Sequence, residues 1–283
     1  ITVSINNLDD NEPVFTSNLT FSADENQKAI GAVSASDPDG GAITYSISSS
    51  SDDNISIDSS SGVLTFITAP NYEANTYYEA RVIATDSSDS QVGANITVSI
   101  NNLNDNIPQF TSTTSYSADE NQIAIGTVTA ADADGDALTF SDNFDEDQNI
   151  VIHPTTGVLT FTTAPNFEPN GTTYSGSVFV TDGPNTIQQS ISVTVLDVNE
   201  APTITSSTNF SADEEQIVIN VSNSDDIAIV SATDPESDTV TYSVSGSEIN
   251  IDSSSGVLTF AAAPDFESKS SYSATVTASD GSL

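Results

Sequence analysis

Residues 23–27 read Ala-Asp-Glu-Asn-Gln, residues 118–122 read the same, and residues 212–216 read Ala-Asp-Glu-Glu-Gln. Their glutamates are Glu25, Glu120 and Glu214, so the separations are 120 − 25 = 95 and 214 − 120 = 94 residues. Solenoid units repeat every ~20–50 residues, whereas a period twice that long holds a whole β-sandwich. The chain is therefore a tandem array of about three domains, each large enough to bury a modest core of its own. Function has to be sought in each repeat and in the joints between repeats.

Composition narrows that search. The 283 residues carry 41 Asp plus Glu against three basic residues, Lys28, Arg81 and Lys269, for a formal net charge of −38. Nucleic acid and anionic membrane faces would repel such a surface. Cys, Met and Trp are absent, so disulfides cannot staple the sandwiches, and a bound divalent cation is the candidate cross-link for an extracellular array. No apolar run is long enough to span a membrane, and no signal-peptide pattern is present. The opening Ile-Thr-Val-Ser-Ile reads as a strand already in progress, as in a piece of a longer polypeptide. The scarcity of Lys and Arg points to a marine or otherwise saline-living bacterium.

Strand signals dominate, with Val, Ile, Thr, Tyr and Phe alternating with Ser, Thr and Asn between Asp-, Gly-, Asn- and Pro-rich turns. Tyr78, Ala80, Val82 and Ala84 share one face before Asp86; Tyr174, Gly176, Val178 and Val180 do so before Asp182, and Tyr272, Ala274, Val276 and Ala278 before Asp280. A second stripe comprises Ile43, Tyr45 and Ile47, then Leu138 and Phe140, then Val240, Tyr242 and Val244. Gly-Val-Leu-Thr-Phe from Gly62, Gly157 and Gly256 is a turn entering a third strand. Phe21, Tyr116 and Phe210 mark the first strand's part of the core.

Prolines after Asn/Asp clusters, Pro13, Pro108 and Pro202, mark the boundaries. The expected domains are residues 12–105, 106–200 and 201–283, preceded at 1–11 by the last strand and linker of another repeat. Residues 1–5 and 96–100 are the same pentapeptide, Ile-Thr-Val-Ser-Ile, and the third repeat carries no counterpart of this closing strand. The third repeat also holds an insertion around Val221 to Ile227, since Glu214 to Asp234 is 20 residues where Glu25 to Asp37 is 12.

Four acidic elements recur in register: the repeat glutamate, an Asp-x-Asp pair, a Glu after an Asn- or Asp-aromatic step, and an Asp ending the Tyr-led strand. They are Glu25, Asp37/Asp39, Glu73 and Asp86; Glu120, Asp132/Asp134, Glu168 and Asp182; Glu214, Asp234/Glu236, Glu267 and Asp280. One Asp-x-Asp beside a Gly is an ordinary turn. Turn chemistry also accepts Asn, Ser or Gly, so it does not account for carboxylates at four places in each of three diverged repeats.

These elements, with the linker Asn102-Leu103-Asn104-Asp105-Asn106-Ile107-Pro108 and the run Ile57-Asp58-Ser-Ser-Ser-Gly62-Val-Leu-Thr leading to Asn71-Tyr72-Glu73, resemble the cadherin repeat along the full chain. The resemblance implies an all-β fold, tandem seven-stranded Greek-key β-sandwich domains joined end to end, with Ca2+ bound at the linkers. It implies that the first joint uses Glu25, Asn71, Glu73, Asn104, Asp105, Asp132, Asp134 and Asp182, with the carbonyls of Leu103 and Asn106. The family usually has Asp where Asn71 stands, which weakens the outermost ion. The second joint would use Glu120, Asn166, Glu168, Val198, Asn199, Glu200, Asp234, Glu236 and Asp280, on a linker one residue shorter before Pro202. Asp9, Asp10, Asn11, Asp37, Asp39 and Asp86 would supply the downstream half of a further joint, and Glu214, Asp265 and Glu267 the upstream half of another.

The implied protein is a calcium-rigidified extender or adhesion segment of a large extracellular, cell-surface adhesin, its partners being calcium and neighbouring repeats. The alternative is a module that grips carbohydrate or another adhesin directly, by a face or by the insertion. An EF-hand at Asp132-Ala-Asp134-Gly-Asp136 fails, since Ala137 takes the glycine position and Asn143 that of the bidentate Glu. The nonapeptide calcium-binding repeat is absent. Enzymatic use of paired carboxylates needs one singular pair in a pocket, and repetition argues against it. His153 stands where the other repeats have Asp58 and Asp252, and reads as a turn variant.

Overall fold

The computed structural model describes residues 1–6, 8, 10–48, 54–144, 149–170, 173–221 and 227–283. In the first repeat the alternating runs become β1 (Val14–Phe15), β2 (Thr20–Asp24), β3 (Ala29–Ala32), β4 (Ala35–Ser36), β5 (Thr44–Ile47), β6 (Ile55–Ile57), β7 (Val63–Phe66), β8 (Tyr77–Thr85) and β9 (Gln91–Asn101). They build a four-stranded sheet ordered β2-β9-β8-β5, a three-stranded sheet β3-β7-β6 and the pair β1-β4. With β1/β2 and β3/β4 counted as interrupted single strands, nine segments make seven strands. β9 is central to the larger sheet, running parallel to β2 and antiparallel to β8.

The Tyr-led stripe of β8 faces inward: Ala80, Val82 and Ala84 are buried beside Leu64, Phe66, Ile96 and Val98. Each of the Val, Leu, Ile and Phe side chains among them contributes about 1.5–3 kcal/mol by leaving water. Tyr78 meets Phe66 edge-to-face at 5.1 Å, and the same contact recurs between Phe161 and Tyr174 at 5.5 Å and between Phe260 and Tyr272 at 5.0 Å. That pairing explains why the Gly-Val-Leu-Thr-Phe strand ends in Phe and the neighbouring strand begins with Tyr. The glycine opening this motif is fixed twice over. Gly62, Gly157 and Gly256 have φ of +71°, +69° and +70°, and an added Cβ would lie 2.3, 2.1 and 2.1 Å from the carbonyl oxygens of Val33, Val128 and Val230.

The second repeat follows the same plan: β10 (Gln109–Phe110), β11 (Ser115–Asp119), β12 (Ala124–Thr127), β13 (Ala130–Ala131), β14 (Thr139–Asp142), β15 (Ile150–Ile152), β16 (Val158–Phe161), β17 (Thr173–Thr181) and β18 (Thr186–Leu196). Its sheets are β11-β18-β17-β14, β12-β16-β15 and the pair β10-β13. A four-residue helical turn, α1 (Phe167–Asn170), precedes β17. It starts where the Asn166 Oδ1 accepts the Glu168 N–H at 3.1 Å, a side-chain cap too local to show as a helical stripe.

The third repeat departs from the plan. Its elements, β19 (Thr203–Ile204), β20 (Phe210–Ser211), β21 (Asn220–Val221), β22 (Ala232–Thr233), β23 (Thr241–Val244), β24 (Ile249–Ile251), β25 (Leu258–Phe260) and β26 (Val276–Ser279), form only two-stranded pairings among the described residues: β19-β22, β20-β21, β23-β26 and β24-β25. The Tyr272 strand, expected to bury Ala274, is ordered as strand only from Val276, and Ala274 is exposed. Its counterpart β8 pairs along all nine residues with β9; here no strand among the described residues covers that edge. The core shrinks to Ile219, Ala228, Val230, Leu258 and Phe260. The insertion's residues 222–226 lie outside the described residues.

The chain divides into two compact units, which do not follow the repeats. The first is Ile1–Thr111 with Thr129–Thr139 and Val180–Ile187; the second is Ser112–Val128, Phe140–Phe179 and Gln188–Leu283. The segments of the second repeat grouped with the first unit carry Asp132, Asp134 and Asp182.

Candidate metal centre

Within the first unit, Glu25 sits one residue past β2 and is 1% exposed. Its Oε2 accepts the Tyr72 N–H at 2.8 Å and its Oε1 the Leu103 N–H at 2.8 Å. Two backbone amides thus hold a buried carboxylate, one from the turn before β8 and one from the linker. Asp134 clamps the linker further on. Its Oδ2 accepts the Asn106 and Asp105 N–H groups at 2.8 and 3.0 Å, and its Oδ1 accepts the Asn106 side-chain amide at 2.6 Å. The Asn26 amide donates to Asp105, and the Asn102 amide to the Asp134 carbonyl at 2.7 Å. These contacts bring Glu25, Glu73, Asp105 and Asp134 together, with one carboxylate oxygen of each within 4.8 Å of the others, and set Asp132, Asp134 and Asp136 in a second cluster of the same spacing.

The second unit repeats the arrangement. Glu120, 3% exposed, accepts from Phe167 N–H at 2.8 Å and Val198 N–H at 2.9 Å. Glu236 accepts the Glu200 N–H at 3.2 Å, the Asn121 amide donates to Glu200, and the Asn199 amide donates to Asp280 at 2.6 Å. Ala201 stands where Asn106 donates its side chain, so the clamp is thinner. The cluster here is Glu120, Glu168, Asp197 and Glu236. Glu214, Asp265 and Glu267 form an exposed cluster of their own.

A cation's place is marked by what the carboxylates leave unmet. Asp37, Asp132 and Asp234, the first acids of the three Asp-x-Asp/Glu pairs, each spend Oδ1 on their own turn, accepting from Asp39, Asp134 and Asp238 N–H at 2.8, 3.0 and 3.0 Å. The Oδ2 of all three is buried without a hydrogen-bond partner, as are the Oδ2 of Asp86 and the Oε1 of Glu236. A buried carboxylate oxygen left unpaired costs several kcal/mol in general, and the same atom is orphaned in three successive repeats. The basic residues do not answer it: Lys28 donates to the Ile67 carbonyl, Arg81 to Asn95 and Lys269 to Glu248. An all-oxygen, carboxylate-rich donor set with partnerless buried oxygens fits Ca2+.

Proton affinities carry the same strain. At Glu73 its own backbone amide acts downward, but desolvation, the hydrogen bond to Asp134 and the charges of Glu25 and Asp134 raise the pKa above the ordinary value. Desolvation and then the charges of Asp132, Asp134 and Asp182 raise Asp136. Glu200 is raised although the Asn121 amide opposes it, because desolvation and the charges of Glu120, Glu168 and Glu236 prevail. Asp134 is lowered: desolvation pushes upward, and the Asn106 donors, Glu73 and the Asp105 amide together outweigh it.

The other expected ligands make contacts of their own. Asn71 spends its Oδ1 on the Ala74 N–H at 3.0 Å, and the Asn166 Oδ1 caps α1. Leu103 directs its carbonyl at the Asp105 N–H at 3.0 Å, and Val198 contributes its N–H to Glu120. The carbonyl of Asn106 accepts from the Asn185 amide at 3.5 Å, which also contacts the Asn104 Oδ1 at 3.4 Å and Asp182 Oδ2 at 3.0 Å. At the downstream half-joint, Asp39 receives the Asn11 and Asp10 N–H groups at 2.6 and 2.9 Å and the Asn11 amide at 2.8 Å. Asp86, 5% exposed, holds the Ser88 and Ser90 N–H groups, each at 2.8 Å. Asp9 lies outside the described residues.

Three participants were missed from sequence. Asp136 is the third acid of Asp-x-Asp-Gly-Asp and was legible there. Asp197 takes the place of Asn102, a swap that only the linker register reveals. Asn185 gave no repeated signal. His153 does replace an aspartate turn: its Nδ1 accepts the Thr155 and Thr156 N–H groups, each at 3.3 Å, as the Asp58 Oδ1 accepts those of Ser60 and Ser61 at 3.1 and 2.8 Å.

Residues 19–101 match the cadherin domain family. Across 99% of its length the chain is 30% identical to human Protocadherin Fat 4, and across 74% it is 30% identical to human Protocadherin-1. It spans only 6% and 22% of those proteins. Among solved structures, mouse Cadherin-23 EC22-24 matches with TM-score 0.58 and 25% identity over 96% of this chain and 94% of that one. The human Desmocollin-1 ectodomain matches in fold with TM-score 0.56 and 23% identity over 97% of this chain and 59% of that one.

Proposed function

We propose that this chain, an array of cadherin-type sandwiches whose residues 19–101 are a cadherin domain, is a calcium-binding extender or adhesion segment of an extracellular surface protein, stiffened at its joints by the ion. The observation that carries this reading is the orphaned, buried Oδ2 at one position of every repeat among the described residues. The matched Desmocollin-1 ectodomain supports the extracellular setting. The named relatives are animal protocadherins, and a bacterial source is supported by charge composition alone.

At the first joint Glu25, Glu73, Asp105, Asp132, Asp134 and Asp182 would hold the ions, with Asp136 beside them; at the second, Glu120, Glu168, Asp197, Glu200, Asp234, Glu236 and Asp280. Bound Ca2+ supplies the positive charge that lets these oxygens approach one another. The linker's share is positional. Asp105 and Asn106 are pinned on Asp134, so a ligand from the linker is tied by backbone amides to ligands from the next sandwich. With the charges unneutralised, the crowded carboxylates repel and the linker is free to swing.

Calorimetric titration of the chelator-treated chain with CaCl2 tests this, alongside small-angle scattering with and without calcium. Saturable binding is expected, weakened at one joint in Asp132→Asn and at the other in Asp234→Asn, with a narrower spread of dimensions in calcium. No binding heat at millimolar calcium would reduce the reading to an acidic β-protein of cadherin fold.

A further inference from the structure

The residue after each repeat glutamate takes the left-handed backbone conformation: Asn26, Asn121 and Glu215 have φ of +63°, +59° and +60°. Each anchors its N–H on a proline carbonyl, that of Pro70, Pro165 or Pro264, at 2.9 Å. Asn is among the residues that tolerate this conformation. The turn does not require it, however, because Glu215 makes the same turn with the same anchor. What Asn26 and Asn121 add is a side-chain amide.

Both amides reach an acid of the linker that lies 79 residues further along the chain. Asn26 Nδ2 donates to Asp105 Oδ2, and Asn121 Nδ2 donates to Glu200 Oε1. The same two acids are held from the other side through their own backbone. The Asp105 N–H donates to Asp134 at 3.0 Å, and the Glu200 N–H donates to Glu236 at 3.2 Å. We propose that Asn26 and Asn121 are positioning residues, latches that fix the linker acid to the preceding repeat while its amide is fixed to the following one. Their role, to set a linker ligand in place before the ion arrives, rests on the reading of these joints as calcium sites. The latch itself is a hydrogen bond between an amide and a carboxylate, which depends on no cation.

The two latches differ in weight. Asp105 is exposed, and its Oδ1 also accepts the Asn106 side-chain amide at 2.8 Å. Glu200 is half-buried, and Ala201, which has no side-chain amide, follows it where Asn106 follows Asp105. Water therefore competes less for the Glu200 contact, and no neighbouring linker amide shares the load. Loss of Asn121 should loosen the second linker more than loss of Asn26 loosens the first.

Hydrogen–deuterium exchange of the full chain, read on peptides covering residues 102–108 and 197–202 in chelator, tests the proposal. Gly and Asp both adopt positive φ more readily than other residues, so neither strains the turn. Asn121→Gly removes the donor, and Asn121→Asp replaces it with a charge that repels Glu200. Exchange at 197–202 should rise roughly three- to tenfold for Asn121→Gly and further for Asn121→Asp, while peptides covering β16 keep their rates. Asn26→Gly should raise exchange at 102–108 by about twofold. In calorimetric titration with calcium, each variant's affinity at its own joint should fall by no more than the same factor, because apparent affinity scales with the fraction of molecules whose linker acid is in place. Unchanged linker exchange in both Asn121 variants overturns the proposal. So does a rise spread evenly over linker and sandwich, which marks a turn residue and not a latch. A chain that takes up no calcium yet shows the expected ranking in chelator keeps the latch and loses the proposed function. One that binds calcium with linker exchange indifferent to these variants keeps the proposed function and loses the latch.

Discussion

Glu25 and Glu214 occupy the same step of the same repeat, yet one is 1% exposed and held by two backbone amides while the other is exposed and held by one. Their immediate sequences barely differ. The difference lies about 80 residues downstream of Glu25, where β9 and the linker return across β2 and deliver the Leu103 N–H. The strand that completes the core and the amide that completes the hydrogen bonding of Glu25 are thus consecutive parts of one segment. Packing and the geometry of the acidic cluster are coupled through it.

The largest test of that coupling is in the core. Phe66→Ala should cost about 3–5 kcal/mol in chemical denaturation of the first sandwich. Phe260→Ala should cost clearly less in this chain, because the buried cluster around it is smaller. Equal losses would break the comparison. Calcium at a hundred times its dissociation constant should add about 2.7 kcal/mol per site, read as a rise in unfolding temperature that chelator reverses; the sandwiches flanking the two joints should gain most. Glu25→Gln replaces an acceptor oxygen with a donor facing a backbone N–H, at a cost of about 1–3 kcal/mol. Glu214→Gln should be nearly silent, and a similar loss in both would mean that the linker amide contributes little.

Acidity sharpens the contrast. Without cation, Glu73, Asp136 and Glu200 have raised pKa values. Their contribution to stability is complete below the unfolded-state carboxylate range, about pH 4, and is lost as pH rises through their folded values. Asp134 and Asp280 are lowered, Asp280 chiefly by the Leu283 amide and then the Asn199 side chain. Their contribution is present above the unfolded-state range and lost as pH falls through their folded values. Chelated protein should therefore lose stability from the mildly acidic range towards neutrality. In calcium the trend should reverse, as neutrality favours the ionised ligands. Unfolding temperatures across pH in both conditions check this. The smallest effect expected is at the surface turn, where His153→Asp should stabilise the second sandwich by no more than about 0.5 kcal/mol.

Much of this was legible in the residues because it is periodic. The recurring Tyr and Phe positions became the edge-to-face pairs, and the recurring glycine became the left-handed turn under a carbonyl. What the repeat pattern obscured is aperiodic or non-local. Asn185 bridges Asn104, Asn106 and Asp182 in the first joint, and Asn71 accepts an N–H of its own turn. The Tyr272 stripe reads as a full strand, yet strand order requires hydrogen-bond partners on an edge that the stripe does not encode.

By itself the sequence determined the repeat, its β character, the stripes that make each core and the four carboxylate positions of every unit, since these follow from local alternation, turn chemistry and spacing. Tertiary structure alone decided which of those carboxylates share one cluster and which oxygens are buried without a partner. Those outcomes depend on where a strand far along the chain comes to lie, and burial and charge proximity are properties of that placement.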